Sequence, residues 1–211
     1  MLKNLLVAGV VGSVMCANAF AASYKGEGPC CPPPAFRPYV GINVNYLHNS
    51  YESSVQEGLV TLNPGQINPN NFWGGSIDAG YRYGQYFGME FGYAQYANGS
   101  NTSGTTKVSV SPRTAYMDLR GYYPIDQWDL IGIAGVGIAS IGDASLTNTA
   151  TGAVTTIHAD SSVAPRLGLG VDYNFNRCWG ARLEGRYTFA SSRYVNYSYS
   201  FDAGVFYNID V

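Results

Sequence analysis

The chain has 211 residues and a formal net charge of −2, with three lysines, nine arginines, 18 tyrosines and 26 glycines. So few charges and no basic patch argue against nucleic-acid binding. The scarcity of lysine and glutamate is also unlike the surface of a water-soluble domain. Abundant tyrosine and glycine suit tight β structure and a membrane–water interface, where an amphipathic ring is stable.

The first residues have the pattern of a secretory signal peptide. Lys3 precedes an apolar run from Leu5 to Met15, and Ala19-Phe20-Ala21 is a small-x-small cleavage site. The apolar run is too short to span a bilayer, so we expect it to be a leader rather than an anchor. Cleavage after Ala21 is preferred, with cleavage after Ala19 as the alternative.

From position 38 onward, apolar residues alternate with small or polar ones in eight runs. This period of two is typical of strands that have one face in an apolar environment. In the first run, Val40 and Ile42 share one face, and Asn43 and Asn45 share the other. The fifth run is apolar on both faces, which leaves its register open. The predicted strands are 38–48, 73–83, 86–96, 113–123, 128–139, 162–173, 178–189 and 197–211.

The connections between these strands alternate between short and long. Three are short turns and four are polar loops rich in Asn, Ser, Thr and Gly, which we expect to be flexible. An even number of strands with two different ends is typical of an up-and-down barrel in an outer membrane. In such barrels the short turns lie in the periplasm and the long loops lie outside. The predicted turns are 84–85, 124–127 and 174–177, and the loops are about 49–72, 97–112, 140–161 and 190–196.

The bulky face of the strands is predicted to contact lipid. An eight-stranded interior is only just wide enough to be filled by side chains, and the apolar face carries too many large ones to fit. The opposite face is small, glycine-rich and charged. Aromatic residues at both strand ends, such as Trp128 near a short turn and Trp73 near a loop, are typical of the two girdles of a membrane barrel. These features disfavour the alternative, a water-soluble barrel with the apolar face inside.

Charged residues on the inward face are predicted to form an ion-pair network. We expect Glu90 to pair with Arg120, and Arg166 with Glu184, across adjacent strands. Arginine suits these positions because its planar fork binds carboxylates and stays charged. A packed, closed lumen is preferred, and a narrow gated pore is the alternative. The predicted network comprises Asp78, Arg82, Glu90, Asp118, Arg120, Arg166, Asp172, Arg182, Glu184, Arg186 and Asp202.

Three strand–turn–strand units carry a family resemblance: GYRYGQYFGMEFGY, DLRGYYPIDQWDLIGIAGVG and DYNFNRCWGARLEGRY. They resemble the small eight-stranded barrels of the outer membrane protein A transmembrane domain and the opacity-type proteins. The resemblance covers about residues 36–211. It implies an all-β, eight-stranded, antiparallel up-and-down transmembrane β-barrel in the outer membrane of a Gram-negative bacterium. It also implies a structural or adhesive, porin-like surface protein.

We therefore expect a signal peptide at 1–21, a Pro- and Cys-containing periplasmic arm at 22–36 and the outer-membrane barrel domain at 37–211. The last strand resembles the C-terminal signal that the barrel-assembly machinery reads. The family commonly ends in phenylalanine, where this chain has valine. The residues of this signal are Asp202, Gly204, Tyr207, Ile209 and Val211.

The cysteines predict a crosslink at the periplasmic end. Cys30 and Cys31 precede the first strand, and Cys178 follows a short turn, so both positions lie at the same end of the barrel. Because this compartment is oxidising, we expect Cys178 to bond to one of the other two. A disulfide-linked oligomer and incidental thiols are the alternatives.

Little in the sequence indicates catalysis. His48-Asn49-Ser50 resembles the His-x-Ser element of outer-membrane lipid A deacylases, but it lies on the first strand and nothing around it matches. His158, Asp160 and Ser161 lie in one loop, where consecutive residues hold nucleophile–base geometry poorly. With two histidines and no dense carboxylate cluster outside the lumen, we expect no catalytic residue, metal or cofactor.

The preferred function is structural or surface-interactive, through loops 49–72, 97–112 and 140–161. The expected partners are outer-membrane lipids, the barrel-assembly machinery and a host or surface ligand. A narrow channel for ions or small solutes is the alternative, and a lipid A hydrolase is a remote one.

Overall fold

The chain folds into β-strands connected by turns and loops. The computed structural model describes residues 36–51, 55–57, 60–62, 69–103, 106–141, 144–157, 160–189 and 195–209. Its strands are β1 (Phe36–Tyr51), β2 (Val55–Glu57), β3 (Val60–Leu62), β4 (Asn71–Tyr83), β5 (Phe87–Tyr96), β6 (Gly99–Ser103), β7 (Thr106–Val110), β8 (Pro112–Ile125), β9 (Trp128–Ile141), β10 (Ala144–Asn148), β11 (Val154–Ile157), β12 (Asp160–Asn174), β13 (Trp179–Thr188) and β14 (Val195–Asn208). Among these residues, no helix is long and apolar enough to cross a membrane.

Eight of the strands form a closed antiparallel barrel in the order β1-β14-β13-β12-β9-β8-β5-β4. The first and last strands close it, with Tyr39 opposite Asn208 and His48 opposite Tyr199. Closure pairs the backbone groups of every barrel strand and leaves no edge, which a β structure in lipid requires. The predicted fold class is confirmed.

The eight predicted strands correspond to the eight barrel strands. Several are longer at the loop end: β1 continues to Tyr51, and β4 begins at Asn71. The predicted last strand differs, because β14 begins at Val195 and ends at Asn208. The open register of β9 is also resolved, with Asp129, Ile131 and Ile133 buried on the inward side.

The short turns have the backbone geometry that tight antiparallel connections need. Gly84 adopts a φ of 61° and Asp126 a φ of 55°, both in the left-handed region. Glycine adopts this region freely and aspartate tolerates it better than most residues. These turns join β4 to β5 and β8 to β9, and they lie at one end of the barrel with the β12–β13 turn.

The described parts of the long loops contain further strands, which were not predicted. β6 and β7 from the second loop join β10 and β11 from the third in a four-stranded sheet of order β11-β10-β7-β6. We call it the loop sheet. In the first loop, β2 and β3 form a hairpin. Polar and apolar residues alternate in β7 as they do in the barrel strands. The many serines and threonines of the surrounding segment, 97–112, nevertheless gave it the composition of a loop.

The two faces of the barrel wall differ in side-chain chemistry. Leu169 is 76% exposed on the outer face, whereas Arg120 on the inner face is 1% exposed. Large apolar side chains that would be core residues in a water-soluble protein therefore form the outer surface. This arrangement is stable only where lipid replaces water around the barrel.

Candidate functional site

All eleven residues of the predicted network point into the lumen. Ten are buried, and Arg82 is partly exposed at the short-turn mouth. Apart from Arg82, the structure brings them into one connected set of ion pairs and hydrogen bonds, which also includes residues that were not predicted. We call this set the lumen network.

Glu90 on β5 is the centre of the lumen network. Its carboxylate lies 3.0 Å from Arg120, 2.5 Å from Arg182 and 3.2 Å from Arg186. The hydroxyl of Tyr39 donates a further hydrogen bond of 2.9 Å. Three guanidinium groups and one phenol thus compensate for the burial of a single carboxylate, which would otherwise be costly.

The arginines of β13 connect Glu90 to the other carboxylates. Arg182 donates to both oxygens of Asp172, at 3.0 and 3.1 Å, in a bidentate pair. Arg186 donates to Glu184 and to Asp202. Bidentate arginine pairs fix geometry as well as charge, so β13 holds its neighbours on both sides of the lumen.

A separate ion pair occupies the short-turn mouth. Arg82 donates to the two oxygens of Asp129 at 2.7 and 2.9 Å, and Asn174 donates to Asp129 at 3.0 Å. The Arg82 guanidinium also lies 4.2 Å from the centre of the Tyr122 ring. Asp129 was missed because β9 is apolar on both faces. Its alternation with Ile131 and Ile133 could have placed it inside.

Asp78 is held mainly by neutral donors. The amide of Asn43 donates to it at 2.8 and 3.1 Å, and the hydroxyl of Tyr116 donates at 2.7 Å. The nearest guanidinium, that of Arg182, lies 3.6 Å away. Inward-facing asparagine and tyrosine residues therefore belong to the site, although only charged residues were predicted for it.

The expected Arg166–Glu184 pair is wrong. In the β12–β13 register, Arg166 lies opposite Thr188 and Glu184 lies opposite Gly170. Arg166 instead lies 3.2 Å from Asp118 on β8, and its guanidinium is 4.1 Å from the centre of the Tyr116 ring. The error arose because the turn geometry shifts the register by several residues, which spacing along one strand does not reveal.

The lumen also contains large rings on a face that is predicted to be mainly small. Tyr39, Tyr116 and Phe206 are buried inside the barrel. They fit because glycines on neighbouring strands leave room for them. A Cβ on Gly80 would lie 2.6 Å from the ring of Tyr39, for example.

Within the described residues, the lumen carries more carboxylates than arginines. Asp129 raises the carboxylates to seven, against the five arginines of the predicted network and Arg37, which lies opposite Arg82 on the same face. Asp118 is the most loosely held, because its ion pairs are 3.2 and 3.6 Å long and its oxygens accept no hydrogen bond from the described residues.

An apolar cluster lies at the loop end of the barrel. Leu47, Phe72, Ala94 and Tyr96 from the barrel form one buried cluster with Val108 and Val110 of the loop sheet. All six are at most 7% exposed. The inner face of β7 is thus packed into the barrel mouth, and we call this cluster the apolar plug. It lies in series with the lumen network.

The residues considered for catalysis lie apart from the lumen. Nδ1 of His48 lies 2.6 Å from Oδ1 of Asn71, and its ring stacks on Tyr199 at 4.7 Å. Ser50 follows on the same face of β1. His158 lies outside the described residues. In the part of the chain that the structure describes, no group of His, Cys, Asp and Glu could hold a metal ion.

The remaining predicted sites are only partly described. Cys178 lies in the β12–β13 turn, and its carbonyl accepts a 2.6 Å hydrogen bond from the backbone of Asn208. Cys30 and Cys31 lie outside the described residues, as do the signal peptide and the arm. Of the C-terminal signal, Asp202 and Gly204 face inward and Tyr207 outward, and Val211 lies outside the described residues.

Solved structures of small outer-membrane barrels resemble this fold at low sequence identity. OprG from Pseudomonas aeruginosa is 13% identical, covers 84% of this chain and 97% of its own, and has a TM-score of 0.62. Neisserial surface protein A is 17% identical, with coverages of 81% and 96% and a TM-score of 0.54. Ail of Yersinia pestis, solved with the heparin analogue sucrose octasulfate, is 14% identical, with coverages of 82% and 99% and a TM-score of 0.51.

Comparison of the sequence with known protein families identifies the family of this chain. No curated protein sequence matches the chain. The outer membrane protein beta-barrel domain family matches residues 8–208, which is nearly the whole chain. The chain therefore belongs to the outer membrane protein beta-barrel domain family, and it is a small eight-stranded barrel of the cell outer membrane.

Proposed function

We propose that this protein is a closed barrel that presents the loop sheet to ligands outside the cell. The observation that carries the proposal is the pairing of β7 with β10, which joins the second and third long loops. Lys107 lies opposite Thr147, and Ser109 lies opposite Ser145. Two loops that could move independently thereby form one surface.

The apolar plug supports a rigid presentation of this surface. Val108 and Val110 are each 3% exposed and bind the sheet to Phe72 and Tyr96 of the barrel. A binding surface that is ordered before the ligand arrives loses less conformational entropy on binding. The barrel then acts as a scaffold in the membrane, and the loop sheet carries the recognition.

The outer side of the loop sheet favours a hydrogen-bonding ligand of low charge. Register places Ser100, Thr102, Lys107, Ser109 and Thr147 on this side, opposite the valines. Lys107 is its one cation among the described residues. Hydroxyl groups that donate and accept suit a neutral glycan of a host or bacterial surface. A polyanion such as the heparin analogue bound by Ail would gain little from a single lysine.

Binding by intact cells tests this function. Cells that display the wild type should adhere to immobilised neutral glycans, and a variant with residues 99–110 replaced by a Gly-Ser linker should lose that adhesion. A matched variant shortened within 190–194 controls for loop removal in general. Heat-modifiable mobility in gels would show that each barrel is folded. Equal adhesion of the wild type and the 99–110 variant would refute the proposal.

A narrow channel is the second candidate. The excess of carboxylates over arginines in the lumen would favour cations over anions. The lumen network and the apolar plug nevertheless form two barriers in series, which supports a closed lumen. Large, sustained conductance from the purified wild type in planar bilayers would replace the closed-lumen proposal with this one.

Lipid A hydrolysis has the weakest support. His48 is engaged by Asn71 and Tyr199 rather than by a hydroxyl nucleophile. An assay of lipid A deacylation with the wild type and with His48→Ala distinguishes this function from the others. Release of fatty acid that the substitution abolishes would establish it.

A further inference from the structure

Arg113 differs from the arginines of the lumen. Each of the five arginines of the predicted network forms an ion pair with a carboxylate. Arg113 begins the outward face of β8 at the loop end, is exposed and forms no ion pair with the described residues. It is therefore a cation on the membrane-facing side of the wall that no described carboxylate neutralises.

The position of Arg113 along β8 places it at the outer boundary of the bilayer. Tyr123 is 65% exposed on the same face near the short-turn end, ten residues further along the strand. Ten residues correspond to about 33 Å of strand, which at a tilt of about 40° rises about 25 Å. This rise equals the typical height of the apolar band of an outer-membrane barrel. If Tyr123 marks the periplasmic interface, Arg113 lies at the level of the outer-leaflet headgroups.

The residues on either side of Arg113 change character at this level. Towards the short turns, the outward face continues with Ala115, Met117 and Leu119, which suit lipid chains. Towards the loop sheet, it continues with Ser111, Ser109 and Lys107, which suit water. Arg113 therefore lies at the transition between the two environments.

Neutral polar groups surround Arg113. Its partners on the two adjacent strands are Gln95 and Ser140. The amide of Gln95 is fixed, because its nitrogen donates to Ser111 at 3.2 Å and its oxygen accepts from Tyr93 at 2.8 Å. No carboxylate on these neighbouring positions competes for the guanidinium. The site offers one charge and several fixed dipoles to an external anion.

We propose that Arg113 binds the phosphate of an outer-leaflet lipid headgroup, with Gln95 and Ser111 forming the polar floor of the site. A guanidinium binds phosphate through two parallel hydrogen bonds, and such charge-assisted pairs are stronger at the edge of a low-dielectric medium. The lipid chains would extend from the phosphate along the apolar face below Arg113. Membrane insertion brings the ligand to the site, which distinguishes a lipid phosphate from free phosphate in solution.

Native mass spectrometry of the full-length protein in neutral detergent tests the site. Mixed micelles with equal amounts of phosphatidic acid and phosphatidylcholine supply the probe. The wild type should retain phosphatidic acid in preference to phosphatidylcholine, and Arg113→Gln should weaken this retention about tenfold. Arg113→Lys should restore part of it, because a lysine keeps the charge without the planar fork. Lys107→Ala removes an equal charge above the boundary and should retain the lipid like the wild type.

Three results would overturn the proposal. Unchanged retention by Arg113→Gln would show that the phosphate binds elsewhere, and an equal loss in Lys107→Ala would show general electrostatic attraction. A third arm adds inorganic phosphate at millimolar concentration to the wild type. Displacement of phosphatidic acid in this arm would show that the site binds free phosphate, which would contradict the proposal that its ligand is a lipid phosphate. Heat-modifiable mobility of all variants checks that each barrel is folded.

Discussion

Arg182 and Glu90 connect opposite walls of the barrel. The guanidinium on β13 donates a 2.5 Å hydrogen bond to the carboxylate on β5, although the residues are 92 positions apart in the chain. In the closed order of strands, β13 and β5 are four steps apart in either direction, the largest separation that eight strands allow. The pair therefore crosses the lumen, where Arg120 and Arg186 also contact the Glu90 carboxylate.

Removing the carboxylate at this crossing should destabilise the barrel. Glu90→Ala leaves three buried guanidinium groups without their common partner, and we expect a loss of about 3–5 kcal/mol in the free energy of unfolding. Urea titration of the protein in lipid vesicles measures it. Asp126→Asn, in the exposed β8–β9 turn, is the matched control and should unfold like the wild type, because asparagine also tolerates a positive φ. A Glu90→Ala barrel as resistant as the wild type would show that the network contributes nothing to stability.

Arg120→Ala should weaken the barrel without opening it. The substitution removes ion pairs to Glu90 and Glu184, but the apolar plug still covers the loop end of the lumen. We therefore expect lower resistance to urea and no sustained conductance in planar bilayers. A variant that conducts steadily would show that the lumen network is the only barrier. In that case the plug does not seal the mouth.

The strands and their faces could be predicted from the sequence, because period-two alternation is a local property of the chain. The same alternation on β14 places Asp202 inside and Phe201 outside, as the structure has them. Partner assignments such as Arg166–Asp118 could not be predicted, because they depend on register and on contacts across the lumen. The loop sheet was missed for a related reason. Its central pairing, β7 with β10, joins segments separated by two barrel strands.

The fit of the aromatic rings inside the lumen is a second feature that could not be predicted from the sequence. An inward Tyr39 beside an inward glycine looks unremarkable in either strand alone. Only the register, which places Tyr39 opposite Gly80, shows that the missing side chain makes room for the ring. A pattern of small residues therefore indicated which face is inside, but it did not indicate how the large residues on that face are accommodated.

Two glycines with opposite surroundings test this packing. At Gly80 an added Cβ would lie 2.6 Å from both the Tyr39 ring and a backbone oxygen, whereas at Gly132, on the outer face, it would meet nothing within 4 Å. We expect Gly80→Ala to lower the free energy of unfolding by about 1–3 kcal/mol, because overpacking forces the ring aside. Gly132→Ala should leave it unchanged or slightly raised. Equal effects of the two substitutions in urea titration would contradict the packing described for the lumen.

The apolar plug should control the order of the loop sheet independently of barrel stability. Val108→Ala with Val110→Ala removes four methyl groups from the cluster, which weakens the attachment of β7 by roughly 3 kcal/mol. We expect faster amide hydrogen exchange in β6 and β7 and unchanged exchange in β13. Ser109→Ala, on the opposite face of the same strand, is the control. Uniformly faster exchange throughout the barrel would show instead that the plug is part of the barrel core.

The disulfide at the short-turn end remains a prediction that the described geometry permits. The backbone of Cys178 bonds to Asn208 of β14, and Asn208 lies opposite Tyr39 of β1, so only one strand separates Cys178 from β1. Two strand spacings amount to about 10 Å, and the five residues from Cys31 to Phe36 can reach about 17 Å. Under non-reducing electrophoresis, we expect Cys178→Ser to migrate more slowly than the wild type, because an intramolecular crosslink keeps the denatured chain compact. Cys30→Ser and Cys31→Ser identify the partner. A dimer band that Cys178→Ser abolishes would establish the intermolecular alternative, and identical mobility of all variants would refute both crosslinks.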